Sequence, residues 1–328
     1  AGTKHRYSGN LFVNRFTDYD RETFFGNANN TGDRGFRWGR GAGNGLVASK
    51  SAGVNLGWSN RKKEREQGFF EISGNVRWNH NGSDQQSRSS SETFLNSGSS
   101  SSFSNSKSNN YSRSTNINSG IRLKWNPDTL TTITFRPSFS YSESDSWSQS
   151  RTATFNDDPY SIAGVSDPLG AIFQDSIAAL RGITVNTNHR RSMGDSKSTS
   201  FNGWGMIVRR LNNEGRNASL SFWGGYGDSK SRNFSRSDIQ YFQRTDGNNR
   251  QFSNQYTNSP SKNWNYGARL SYSEPIVKNL HAQFNYQYDY SYSSNDRSLY
   301  QLDSLQGWRD MYNPALGTYP TDADSLRY

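Results

Sequence analysis

The chain has 328 residues, a mean hydropathy of −0.99, 30% hydrophobic residues and no cysteine. A soluble domain carries roughly 45–50% apolar residues counting glycine, so the shortage argues against one large soluble core, and an aromatic content of 14% argues against ordinary disorder. The net charge of +10 is scattered along the chain rather than blocked; that fits solvated loops and a polar interior better than its sharper alternative, contact with lipopolysaccharide phosphates or an anionic ligand.

Tyr7–Phe16 already reads as a strand. In Leu46–Ser59 the even positions after Leu46 are Ala48, Lys50, Ala52, Val54, Leu56 and Trp58, set against Ser49, Ser51, Gly53, Asn55, Gly57 and Ser59. Phe69–His80 repeats the alternation with Phe70, Ile72, Val76 and Trp78. Thr115–Trp125 does so with Ile117, Ile121, Leu123 and Trp125, and Thr131–Tyr141 with Ile133, Phe135, Phe139 and Tyr141. Trp204, Met206 and Val208 follow, then Ala218, Leu220, Phe222 and Tyr226, then Tyr266, Ala268, Leu270 and Tyr272. The longest example is Leu280–Tyr292, with Leu280, Ala282, Phe284 and then Tyr286, Tyr288, Tyr290 and Tyr292 separated by polar residues. Side chains alternate faces along a strand, so each segment has one apolar and one polar face. A transmembrane β-strand needs about 9–11 residues of this pattern. No run of 18 apolar residues offers a membrane helix.

The connections alternate in length. Asn126–Thr129, Asn212–Gly215 and the segment between Tyr272 and Leu280 are short and turn-rich, whereas Asn81–Ser114, Glu143–Thr199 and Asp228–Asn263 read as long loops into which the strands extend. Ser97–Ser114, with ten serines in eighteen positions, reads as a flexible or extended solvated segment. Phe173, Ile177 and Leu180 stand at helical spacing in Ala171–Leu180, which leaves a short amphipathic helix and an irregular loop equally open. The expected fold is all-β: an antiparallel transmembrane β-barrel of about ten or eleven strands, about half of a large barrel. Residues 1–328 are expected to form one outer-membrane barrel region, truncated at both ends and without a plug domain.

No catalytic chemistry is legible. His5, His80, His189 and His281 stand far apart without a spaced carboxylate, so they read as polar strand or loop positions rather than ligands. Asp157-Asp158 reads as a loop turn before Pro159 rather than a cation site. Gly39–Gly45 departs from the dinucleotide-binding glycine pattern at Asn44 and reads as a flexible turn. Arg34–Arg40 mixes arginine with Phe36 and Trp38, as single-strand nucleic-acid surfaces do, but the strand alternation extends far beyond it and no nucleic-acid partner is expected. No catalytic residue, metal site or cofactor is assigned, and the chain is not expected to be an enzyme.

A resemblance adds to this reading. Gly26–Phe36, Lys50–Asn55, Gly74–His80, Ser90–Phe94, Trp125–Asp128, Phe135–Tyr141 and Asn156–Tyr160 occur in an order that resembles the outer-membrane β-barrel family of Bacteroidota, the barrel part of TonB-dependent-receptor-like proteins. The resemblance implies a barrel of about 22 strands, an N-terminal carboxypeptidase-regulatory-like domain, a plug domain, and import energised through TonB. Neither a plug nor a TonB-contact segment is recognisable in these residues. The expected function is TonB-dependent uptake of an unidentified nutrient at the outer membrane; the alternative is a plugless surface barrel, an adhesin or structural protein. Its partners would be outer-membrane lipid and lipopolysaccharide, the TonB complex through a plug outside this chain, and the nutrient. The lipid face would carry Val54, Leu56, Trp58, Ile121, Leu123, Phe135, Phe139, Leu220, Phe222, Leu270, Phe284 and Tyr286, while Arg122, Lys124, Arg136 and Arg269 would point to the lumen.

Overall fold

A computed structural model describes residues 6–31, 46–60, 62–64, 66–94, 101–212, 215–277 and 280–302. They form one antiparallel sheet: β1 (Ser8–Phe16), β2 (Asp20–Asn29), β3 (Leu46–Ser59), β4 (Phe69–Phe94), β5 (Ser101–Asn126), β6 (Thr131–Phe155), β7 (Thr184–Arg210), β8 (Asn217–Tyr241), β9 (Arg250–Val277) and β10 (Leu280–Asn295) pair in chain order. The short β11 (Ser298–Gln301) continues along β9 beyond the end of β10. Among the described residues β1 and β10 are each paired on one side only, so the sheet is not closed.

The alternating segments all fall within strands, and β3 has the predicted bounds of Leu46–Ser59. Four differences from the sequence reading have physical causes. First, β2 was not expected: Arg21 and Glu22 break its apolar period, but pairing on both sides satisfies its backbone. Second, most of the expected long loops are strand. β4 and β5 pair without interruption from Phe69 with Asn126 to Phe94 with Ser101, and β6–β9 extend likewise. The serine-rich segment is therefore β5 from Ser101 onward, its earlier residues lying outside the described set. Third, Ala171–Leu180 is not one helix. Helix α1 (Pro168–Gln174) stops at Asp175, which adopts a left-handed conformation (φ 55°) and donates its N–H to the carbonyls of Ala171 and Ile172, and α2 (Ala178–Ile183) starts anew.

The fourth difference concerns β7. Antiparallel partners share a face, so register carries the face assignment from strand to strand. One row runs Val13, Phe24, Val54, Val76, Ser119, Phe139, Phe201, Tyr226, Trp264, Tyr292, through all ten principal strands. Another runs Trp58, Ile72, Leu123, Phe135, Gly205, Phe222, Ala268, Tyr288. On β7 the apolar band is thus carried by Phe201, Gly203, Gly205 and Ile207, and Trp204, Met206 and Val208 lie on the opposite face. Trp204 pairs there with Arg136, whose guanidinium sits 5.4 Å from its ring centroid.

Among the described residues no second layer covers the band. Leu56 and Ile121 are each 49% exposed, and Phe284 is 62% exposed. The buried hydrophobic cluster lies elsewhere, at the end of the sheet away from the short turns. There α1 and α2 bring Leu169, Ile172 and Leu180 onto Ala153 and Phe155 of β6. Within the band, Gly205 holds the Phe222 ring against its backbone, where a Cβ would overlap the ring. Gly205→Val is expected to destabilise by about 1–3 kcal/mol through overpacking. Urea unfolding in detergent checks this, and Phe222→Ala in the same chain should recover part of the loss.

The helix pair also sets the state of His189 on β7. Its ring meets Phe173 of α1 edge-on at 6.1 Å and lies 2.9 Å from Gln149 Nε2. Burial, then the charges of Arg191 and Arg151, lower its pKa from 6.5 to about 4. The unfolded chain therefore binds more protons between these values, and stability contributed here is full above pH 6.5 and falls as pH drops toward 4. Hydrogen exchange across 168–183, corrected for intrinsic rate, should show weaker protection at pH 5 than at pH 7.5. His189→Gln should remove that difference.

Candidate functional site

The face opposite the band is built from small polar residues. One row reads Asn10, Asn27, Ser51, Asn79, Asn116, Ser142, Ser198, Ser229, Ser261, Asn295, and every member is Ser or Asn. The next row is Ser8, Asn29, Ser49, Asn81, Ser114, Ser144, Ser196, Ser231, Ser259, again only Ser and Asn. The side chains bond across strands: Ser49 Oγ donates to Asn81 Oδ1 (2.9 Å), Ser142 Oγ donates to Asn116 Oδ1 (2.7 Å), and the Ser144 and Ser196 hydroxyls lie 2.9 Å apart. Asn27 of β2 donates to Asn10 of β1, and along β2 itself Asn29 Nδ2 donates to Asn27 Oδ1 at 2.9 Å, joining the two rows. Such cross-strand pairs contribute roughly 0.2–1 kcal/mol each. Their wider consequence is a hydrophilic surface with almost no fixed charge.

A groove of about 530 Å³ opens on these rows between β3, β4 and β5, lined by Ser49, Ser51, Arg77, Asn79, Asn116 and Asn118 among others. Arg77 is its cation. Its guanidinium carbon stands 5.7 Å from the centroid of Phe25, and its Nε donates to Asn79 Oδ1 at 3.2 Å. The groove can offer hydrogen bonds to a polar solute; it holds no arrangement of nucleophile and base.

Toward the short turns the same face becomes cationic. Register places Arg122, Lys124, Arg136 and Arg269 together on it, as the alternation predicted. Arg269 Nε donates to Gln287 Oε1 (2.7 Å), and Lys124 pairs with Glu64. Sequence reasoning missed the Ser/Asn rows, because Ser and Asn carry no hydropathy period and their convergence needs the register of ten strands.

The other singled-out residues do not assemble. His80 hydrogen-bonds Thr115 Oγ1 (2.9 Å) and stacks on Trp78, on the face of the band. Asp158 caps a 3₁₀ turn, Pro159–Ser161, its carboxylate accepting from the Tyr160 N–H at 3.0 Å, in keeping with the turn reading. Among the described residues no three His, Asp or Glu side chains converge. His5, Arg34–Arg40 and Gly39–Gly45 lie outside the described residues.

No protein-family model matches this sequence, and no curated protein matches it. Among solved structures, the crystal structure of Pseudomonas aeruginosa OccK10 (OpdN) aligns with 88% of this chain and 98% of that chain at 6% identity. Its TM-score of 0.12 is too low to carry an argument.

Proposed function

We propose that these strands are part of the wall of an outer-membrane β-barrel, with the apolar band in lipid and the Ser/Asn face lining a water-filled lumen. The observation that carries this reading is the opposition of the two faces across ten consecutive strands. On β8 the band spans Ala218 to Tyr226, about 27 Å along the strand, which matches a tilted strand crossing the hydrocarbon layer. Aromatic residues stand at its borders, Trp58, Phe70, Trp125 and Tyr272 at one and Trp78, Tyr141, Trp264 and Tyr292 at the other, as at both interfaces of membrane barrels.

The band also runs obliquely to the rows. Its last member on β3 is Trp58, but on β8 it continues two rows further, through Leu220 to Ala218. At the opposite border the row of Trp78, Ile117 and Tyr141 turns polar, through Thr199, Asp228 and Lys262 to Ser294. A flat membrane crossing tilted strands has this signature. Lipid cannot satisfy the open edges of β1 and β10, so further strands pair with them in the complete barrel.

The barrel's role is TonB-dependent import of a nutrient. That part rests on the resemblance of the order of segments to the Bacteroidota barrel family, and the hydrophilic lining supports passage of a polar solute. Deleting the locus should leave one nutrient undepleted in spent medium, read by mass spectrometry, and a TonB-deficient strain should leave the same nutrient. Identical depletion by wild-type and deletion strains would count against transport and favour a plugless surface barrel.

A further inference from the structure

Beyond the charge-poor Ser/Asn rows, the face of the apolar band carries a dense cationic group near the helix pair. Arg191 of β7 and Arg236 of β8 are direct cross-strand partners, an arrangement of like charges that is unfavourable by itself. Arg151 of β6 pairs with His189, and Lys107 of β5 pairs with Arg151. Arg250 of β9 joins the group and takes Asp238, at 2.7 and 2.5 Å. The set is thus Lys107, Arg151, Arg191, Arg236 and Arg250 against Asp238. Two of these arginines stand over aromatic rings: the guanidinium carbon of Arg151 lies 5.4 Å from the Phe173 centroid and that of Arg236 5.1 Å from that of Phe252. The planar arginine guanidinium matches phosphate, sulfate and carboxylate oxygens in a bidentate geometry. His189 stands in the same field: burial first, and then Arg191, Arg151 and Arg236, lower its pKa.

We infer that Lys107, Arg151, Arg191 and Arg236 form a binding surface for a polyanionic polysaccharide on the outside of the sheet. Its height selects this occupant over lipid headgroups. Arg191 stands ten residues beyond Phe201, the last band residue of β7, which places it roughly 30 Å further along the strand. Bilayer headgroups end well short of that distance, whereas surface sugar chains reach it. The placement relative to lipid rests on the barrel reading; the binding itself does not.

The test uses the full chain in nonionic detergent. Heparin is the probe polyanion, neutral dextran the control, and vesicles with and without phosphatidylglycerol the lipid arm. Heparin should bind in a salt-sensitive manner, dextran should not, and phosphatidylglycerol should add nothing. Arg191→Gln with Arg236→Gln should weaken heparin binding by about tenfold or more, because charge-assisted hydrogen bonds are lost, while Arg269→Gln on the opposite face should not change it. Heparin should also raise the pKa of His189, read by NMR. Heparin binding that ignores the Arg191/Arg236 double substitution would overturn the site. Binding to phosphatidylglycerol vesicles that depends on these arginines, without heparin binding, would overturn the occupant. Failure of the membrane reading would be seen separately, in detergent-free solubility of the chain.

Discussion

Phe222→Arg is expected to destabilise the protein in lipid by about 2–4 kcal/mol, the range for an arginine at the bilayer midplane of a barrel. Phe222 is the third of the five band positions on β8, between Leu220 and Gly224, so it sits at the centre of the band. Its chain neighbour Ser221 lies on the opposite face, in a row with Met206 and Arg269, and Ser221→Arg should be mild. Register also separates Phe222 from Phe284, which the alternation alone treats as equivalent. Phe284 pairs with Tyr272 and shares its row with Ala218, two rows from Phe222, but on β10 the apolar positions continue past it to Ala282, so Phe284→Arg should cost about 1–3 kcal/mol, between the midplane and border values. Unfolding titrations of the three variants in lipid vesicles measure the differences. Equal losses at Phe222 and Ser221 would contradict the face assignment.

The second large effect is expected at Arg232. A charge row crosses β5 to β8 as Arg113, Asp145, Asp195, Arg232, so two carboxylates are direct neighbours flanked by two arginines. Asp195 is 6% exposed, and Arg232 meets it through Nε at 2.9 and 3.2 Å and Nη2 at 3.0 Å. Arg113 Nη2 donates to Asp145 Oδ2 at 3.1 Å. Arg232→Leu would leave a buried carboxylate beside another, a change that costs about 3–5 kcal/mol. The loss should appear as a lower urea midpoint at unchanged slope. Adding Asp195→Asn should restore much of it, because the uncompensated charge rather than the missing bond carries the penalty.

The sequence made the band legible wherever one face alone is apolar. Leu280–Tyr292 and Leu46–Ser59 announce their strands because each has a wet face and an apolar face. Arg122, Lys124, Arg136 and Arg269 were placed on a common face by parity alone, and register agrees. The rest needed information that a single segment does not contain. The extensions of β4 to β9 are polar on one face and mixed on the other, so they lack a hydropathy period, yet neighbouring strands pair with them along nearly their whole length. On β7 the larger apolar side chains, Trp204 and Met206, occupy the polar face, while Gly203 and Gly205 occupy the band, so size misdirected the face assignment. Gly205 belongs in the band because the Phe222 ring fills the space above it. The two Ser/Asn rows, one across ten strands and one across nine, are a property of the strands together and of none alone.

The most direct test of the central claim exploits the absence of cysteine from the chain. Single cysteines at Ser219, Leu220, Ser221, Phe222, Gly225 and Tyr226 can each be treated with a water-soluble maleimide in the membrane-embedded protein. The barrel reading predicts alternation: Ser219, Ser221 and Gly225 positions label from water, whereas Leu220, Phe222 and Tyr226 positions resist labelling until detergent replaces lipid. Uniform labelling along β8, or protection of the Ser219 and Ser221 positions with exposure of Leu220 and Phe222, would contradict it.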